Sequence, residues 1–127
     1  MSSARLMVAA SGHDADMLYA TRFYADDPFV WWEARGKRHV ALSPLEIDRA
    51  RPIARVTQVH GIGEFLPPQA KDNSPAGVIP GIAAKYKLQS FLVPGQFPAG
   101  LLEKLRRKGL KITVSDQIGR ASCRERV

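Results

Sequence analysis

The sequence predicts an α/β domain built on one mixed β-sheet. Three observations carry this expectation. An aromatic and β-branched run, Phe29-Val30-Trp31-Trp32-Glu33-Ala34, meets Arg35-Gly36 and returns as Lys37-Arg38-His39-Val40-Ala41-Leu42, the pattern of an antiparallel hairpin. Further on, Ser90–Val93, a helix opened by Pro98 and the run Leu110–Val114 read as a βαβ unit, whose right-handed crossover makes its two strands parallel. The 127 residues are 45% hydrophobic and 24% charged, which suits a single domain that buries a core without disulfides or metal.

The elements follow in order. Leu6–Ala10 is a short apolar run, expected as a buried strand. Asp14 is placed to cap a short helical turn through Asp16–Ala20. In the hairpin, Gly36 supplies the positive φ of a tight turn; Val40 and Leu42 share one face, and Lys37, His39 and Ala41 the other. Ser43 and Pro44 start a helix over Leu45–Ala50, with Glu46 completing a capping-box pattern and Pro52 stopping it near Arg51. Arg55–His60 alternates as a strand, and residues 61–74 read as a loop. The next helix has Ile82–Tyr86 as its firm part and is expected to begin at Pro80 rather than at Pro75. In the βαβ helix, Leu101, Leu102 and Leu105 form an apolar stripe. Arg106, Arg107 and Lys108 suit its C-terminal dipole, and Gly109 ends it.

The formal net charge is +7, from 19 basic and 12 acidic residues. Three of the basic residues and one acidic residue fall in the last ten positions, so 16 against 11 remain, spread along the chain with one dense run at Arg106-Arg107-Lys108. That run offers phosphate contacts or a solvated helix end, and it lacks the interleaved aromatics of a nucleic-acid surface. A small basic nucleic-acid-binding protein is the alternative class. Cys123 is the one cysteine, which excludes an intrachain disulfide framework and fits a reducing, cytoplasmic setting. The apolar run near the N-terminus is too short for a secretory leader or a membrane span.

No residue pattern marks an active site. His13, His39 and His60 are more than twenty residues apart and show no metal-ligand spacing. Asp14, Asp16, Asp26 and Asp27 read as a cap and a turn rather than as paired acid and base. Gly61-Ile62-Gly63-Glu64 lacks the third glycine of a phosphate loop. Trp31 and Trp32 are adjacent, so on a strand they face opposite ways. Either both are covered within the domain or one meets a partner. With Phe65 and Leu66 they are the candidate interface residues.

Residues 118–127 have no apolar periodicity and read as a cloning or adaptor-derived tail, so the native domain is expected over 1–117. Within it, Met17–Phe29, with a Tyr-x-Thr-x-Phe element at Tyr19, Thr21 and Phe23, then Gly36–Ala50 with Ser-x-Leu-Glu-x-x-Arg-Ala, resemble in order the N-terminal domain of creatinase and aminopeptidase P. The resemblance spans about residues 4–116, and Arg22 stands where many members of that family carry glycine. It implies a ribonuclease H-like motif, and a non-catalytic domain cut before the catalytic domain of an Xaa-Pro aminopeptidase- or prolidase-like metallopeptidase. It also implies that two divalent metal ions (manganese, cobalt or zinc) belong to that missing domain, that this chain holds no cofactor, and that the parent is a homo-oligomer. No catalytic residue transfers to this chain.

Overall fold

The hairpin forms where the sequence places it. In the computed structural model, which describes residues 2–67, 69 and 73–115, strand β2 (Phe29–Ala34) pairs antiparallel with β3 (Lys37–Leu42). Arg35 (φ 53°) and Gly36 (φ 77°) both take the left-handed conformation that a two-residue turn between twisted strands demands. The boundary at 117 and the tail 118–127, with Cys123, lie outside the described residues.

Six strands make one sheet in the order β4-β3-β2-β1-β5-β6. The N-terminal strand β1 (Ser2–Ala9) occupies an interior position, antiparallel to β2 and parallel to β5 (Leu88–Val93). On the far side of β5 lies β6 (Lys111–Val114), joined through helix α4 (Ala99–Arg107) as the expected parallel βαβ unit. On the other side, β4 (Gln58–Gly61) pairs parallel with β3. It is shorter than the alternation from Arg55 suggests. The Arg55 and Thr57 amides donate to the Thr21 and Arg38 carbonyls, so those residues serve as a tie rather than as regular strand.

Helices cover both faces, because successive strand residues alternate between them. Helix α1 (Ala15–Thr21) and helix α2 (Pro44–Ala50) lie over the face holding Met7, Trp31, Val40 and Leu42. Helix α3 (Pro75–Tyr86) and α4 cover the face of Leu6, Val30, Trp32 and Phe91. Asp14 caps α1 through a hydrogen bond from the Met17 amide, as the sequence indicates. Ser43 precedes α2 without a side-chain cap, and Glu46 engages Arg49 instead of completing a capping box.

Helix α3 begins at Pro75, not at Pro80. Pro75 sits in the first turn, where no N–H is needed, while Pro80 lies inside and leaves the Ala76 carbonyl without its intrahelical donor. Burial decides the outcome: Ala76, Val78 and Ile79, all before Pro80, pack into the core with Ile82 and Ala83. Between β4 and α3 the presumed loop contains a 3-10 turn, Ile62–Phe65.

Candidate functional site

Two of the three histidines, far apart in sequence, meet in the core. His39 on β3 stands opposite Gln58, and His60 is two residues further along β4, so their side chains are diagonal neighbours on one face. His39 Nδ1 and His60 Nε2 are 3.0 Å apart. His60 Nδ1 lies 3.0 Å from the Glu64 carboxylate, on the 3-10 turn, and Lys85 Nζ on α3 donates to the same oxygen at 2.6 Å. These partners fix the tautomers. Glu64 accepts from His60 Nδ1–H, which leaves His60 Nε2 as the acceptor for His39 Nδ1–H and for the Tyr86 hydroxyl at 3.3 Å. Lys85, Glu64, His60 and His39 thus form a continuous chain of hydrogen bonds across α3, the 3-10 turn, β4 and β3.

Aromatic rings enclose it. Trp32, directly across from His39 on β2, stacks on that imidazole at 4.9 Å and 9°. Phe65 and Tyr86 meet Trp32 edge-on at 5.6 and 5.8 Å. Burial, with the neighbouring His60 and Lys37, pushes the His39 pKa down to about 4. Burial also lowers His60, although Glu64 opposes it. For Glu64, burial works to raise the carboxyl, but the hydrogen bond from Lys85 and the charge and hydrogen bond of His60 together bring it below its ordinary value. Both imidazoles are therefore neutral near pH 7.

The chemistry open to this network is narrow. His39 and His60 are 2% and 4% exposed, and only the edge of His39 borders a surface pocket, beside Lys37, Gln58 and Tyr86. Among the described residues, no three His, Cys, Asp or Glu side chains converge as metal ligands. The network acts as a polar pin through the core.

Of the candidate interface residues, Trp31, Trp32 and Phe65 are each covered by this chain's own atoms, Trp31 in one core and the other two in the second, which is the first of the two readings the sequence left open for the tryptophans. Helices on both sides of the sheet leave neither tryptophan a free face. Leu66 is half-buried against the Trp32 core. Among the described residues, the exposed large apolar side chains are Leu18, Tyr24, Leu45, Ile53 and Val114, with Leu45 at 90%. Asp26 and Asp27 sit in a bend before β2. Arg106 and Lys108 donate to the carbonyls of Ile112 on β6 and Ala76 on α3, and Arg107 faces Glu103, so the basic run ties α4 to its neighbours.

No protein family's sequence profile matches this chain, and no curated protein matches it. Solved structures do. An aminopeptidase P (Xaa-Pro aminopeptidase) from Streptococcus thermophilus superposes with a TM-score of 0.70 at 13% identity, over 94% of this chain and 84% of that one. An X-Pro aminopeptidase from Thermotoga maritima gives 0.69 at 12%, over 91% of this chain and 31% of that one. A Creatine_N superfamily domain of a dipeptidase from Streptococcus thermophilus gives 0.59 at 11%, over 91% and 82%. The fold is therefore that of the creatinase N-terminal-like domains, a six-stranded mixed sheet with helices packed on it. Among the described residues no helix is long and apolar enough to cross a membrane.

Proposed function

We propose that this chain is the non-catalytic N-terminal domain of an Xaa-Pro aminopeptidase- or prolidase-like hydrolase. In the whole enzyme it shapes access to the active site and takes part in subunit contacts. Its partners are a C-terminal catalytic domain, which carries the two divalent metal ions, and further copies of the same cytoplasmic chain. The observation that supports this most is coverage. Nearly all of this chain superposes on less than a third of the Thermotoga maritima aminopeptidase and of a prolidase from Pyrococcus horikoshii. The histidine network, joining α3, the 3-10 turn, β4 and β3 through hydrogen bonds in the core, suits a scaffold role.

The test is twofold. The reading frame beyond this segment, sequenced from genomic DNA, should continue into a domain with an Asp, Asp, His, Glu, Glu ligand set; an unrelated continuation overturns the proposal. The chain alone, given Xaa-Pro peptides with manganese or cobalt, should show no turnover. Turnover that survives repurification and disappears on mutating a residue of this chain also overturns it.

A further inference from the structure

The fold gathers four arginines that the sequence spreads between positions 5 and 55. Arg5 on β1, Arg38 on β3, Arg22 at the end of α1 and Arg55 before β4 line one pocket of about 220 Å³. Glu33 is the single carboxylate in its wall. It forms an ion pair with Arg5 Nη1 at 3.2 Å and accepts a hydrogen bond from Arg38 Nε at 3.3 Å, so its charge is already shared between two guanidiniums and holds both in place. Arg22 and Arg55 have no acidic partner among the described residues. The Arg55 amide donates to the Thr21 carbonyl at 2.6 Å, which fixes the Arg55 segment beside the end of α1 where Arg22 sits. The Arg22 guanidinium is steadied over the Tyr19 ring, 4.7 Å from its centroid. Two further donors on wall residues, Arg5 Nε and Trp31 Nε1, are buried without a hydrogen-bond partner among the described residues. Unpaired N–H dipoles in the wall add to the positive potential of the space.

Four guanidiniums around one carboxylate leave the lining three positive charges in excess, an arrangement that repels itself until an anion joins it. Guanidinium forks match the two-oxygen geometry of carboxylate and phosphate groups. We propose that this pocket is a binding site for an oxyanion, the carboxylate or phosphate group of a small ligand, with Arg22 and Arg55 as the groups that engage it and Glu33 as the brace that sets Arg5 and Arg38. The site is independent of the hydrolase reading and needs no catalytic domain.

The experiment is thermal unfolding and calorimetric titration of the full chain with inorganic phosphate and, separately, with succinate, at constant ionic strength set by chloride. A saturable stabilisation by either probe is expected, and the tighter probe identifies the headgroup. The Arg22→Gln/Arg55→Gln protein should bind at least about tenfold more weakly, as loss of charge-assisted hydrogen bonds implies. The Lys104→Gln/Arg107→Gln protein removes the same charge from α4 and should bind within about twofold of the parent, since exposed remote charges are screened. Should the first double variant fail to fold by circular dichroism, the exposed single change Arg55→Gln carries the comparison. No saturable response to either probe below about 10 mM, a range weaker than useful affinity, overturns the proposal. Equal weakening by the α4 variant and the pocket variant also overturns it.

Discussion

Lys108 Nζ donates a hydrogen bond of 2.8 Å to the carbonyl of Ala76. That carbonyl is the one that Pro80, four residues on and without an N–H, leaves unpaired inside α3. A basic residue at the end of α4 thus repairs the helix beside it, and ties the two helices that cover one face of the sheet. Lys108→Met should cost about 1 kcal/mol, the usual net value of such a bond. In a Pro80→Ala background, where the backbone supplies the donor, the same change should cost less by at least about 0.5 kcal/mol. Urea unfolding of the four proteins measures the coupling, and additive costs would show that Lys108 does not serve the proline.

Acid should weaken the fold through His39. Its pKa is near 4 in the folded chain against an ordinary 6.5. As pH falls below about 6.5 the unfolded chain takes up a proton that the folded chain refuses, so stability is full above that value and declines until the folded group itself titrates near 4, by up to about 3 kcal/mol. His60, also depressed, shifts the balance the same way. Unfolding free energies from pH 7.5 to 4 should fall more steeply for the parent than for His39→Phe, in which the carboxylates common to both proteins cancel. Parallel pH profiles would remove His39 as the cause.

Gly81 lets α3 lie directly on the 3-10 turn. A Cβ built there falls 1.8 Å from the Phe65 carbonyl oxygen, a backbone atom that cannot swing aside. Gly81→Ala should therefore destabilise by about 2–4 kcal/mol despite the better helix propensity of alanine. The same change at Gly100 in α4, where nothing lies within 4 Å, should be neutral or stabilising. Thermal unfolding of the two variants checks the contrast.

Arg22 ends α1 with φ 55°, a left-handed conformation that glycine adopts without strain. Arg22→Gly should raise stability by roughly 0.5–1 kcal/mol, less whatever the Tyr19 stacking contributes. A measured loss above about 1 kcal/mol would mean that the guanidinium contributes more to the fold than its backbone conformation costs.

Local signals in the sequence reach the hairpin, the Asp14 cap and the βαβ unit, since each is set by residues within about thirty positions of one another. The limits of α3 were not legible in the same way. Propensity places the break at Pro80, and only tertiary burial of Val78 and Ile79 with the Lys108 bond shows why the helix runs through it. His39 and His60 read as scattered because their meeting depends on the parallel pairing of β3 with β4, which no turn specifies. The one available hint was His39 alternating onto the face of Ala41, an inward face for a residue flanked by Arg38 and Val40. The arginine pocket depends still more on fold, since its four members come from four separate stretches of chain: β1, the end of α1, β3 and the segment before β4. The tryptophans show the converse: adjacency fixes that they point apart, but not that helices wait on both sides.

The interior position of β1 has a consequence for synthesis on the ribosome. Made before both of its neighbours, β1 pairs on one side with β2, within reach almost at once, but its other edge waits for Leu88–Val93. At 5–20 residues per second, that edge stays open for roughly 4–17 s of translation, a template for stray strand pairing. A nascent chain stalled before residue 88 should carry the hairpin and no closed sheet.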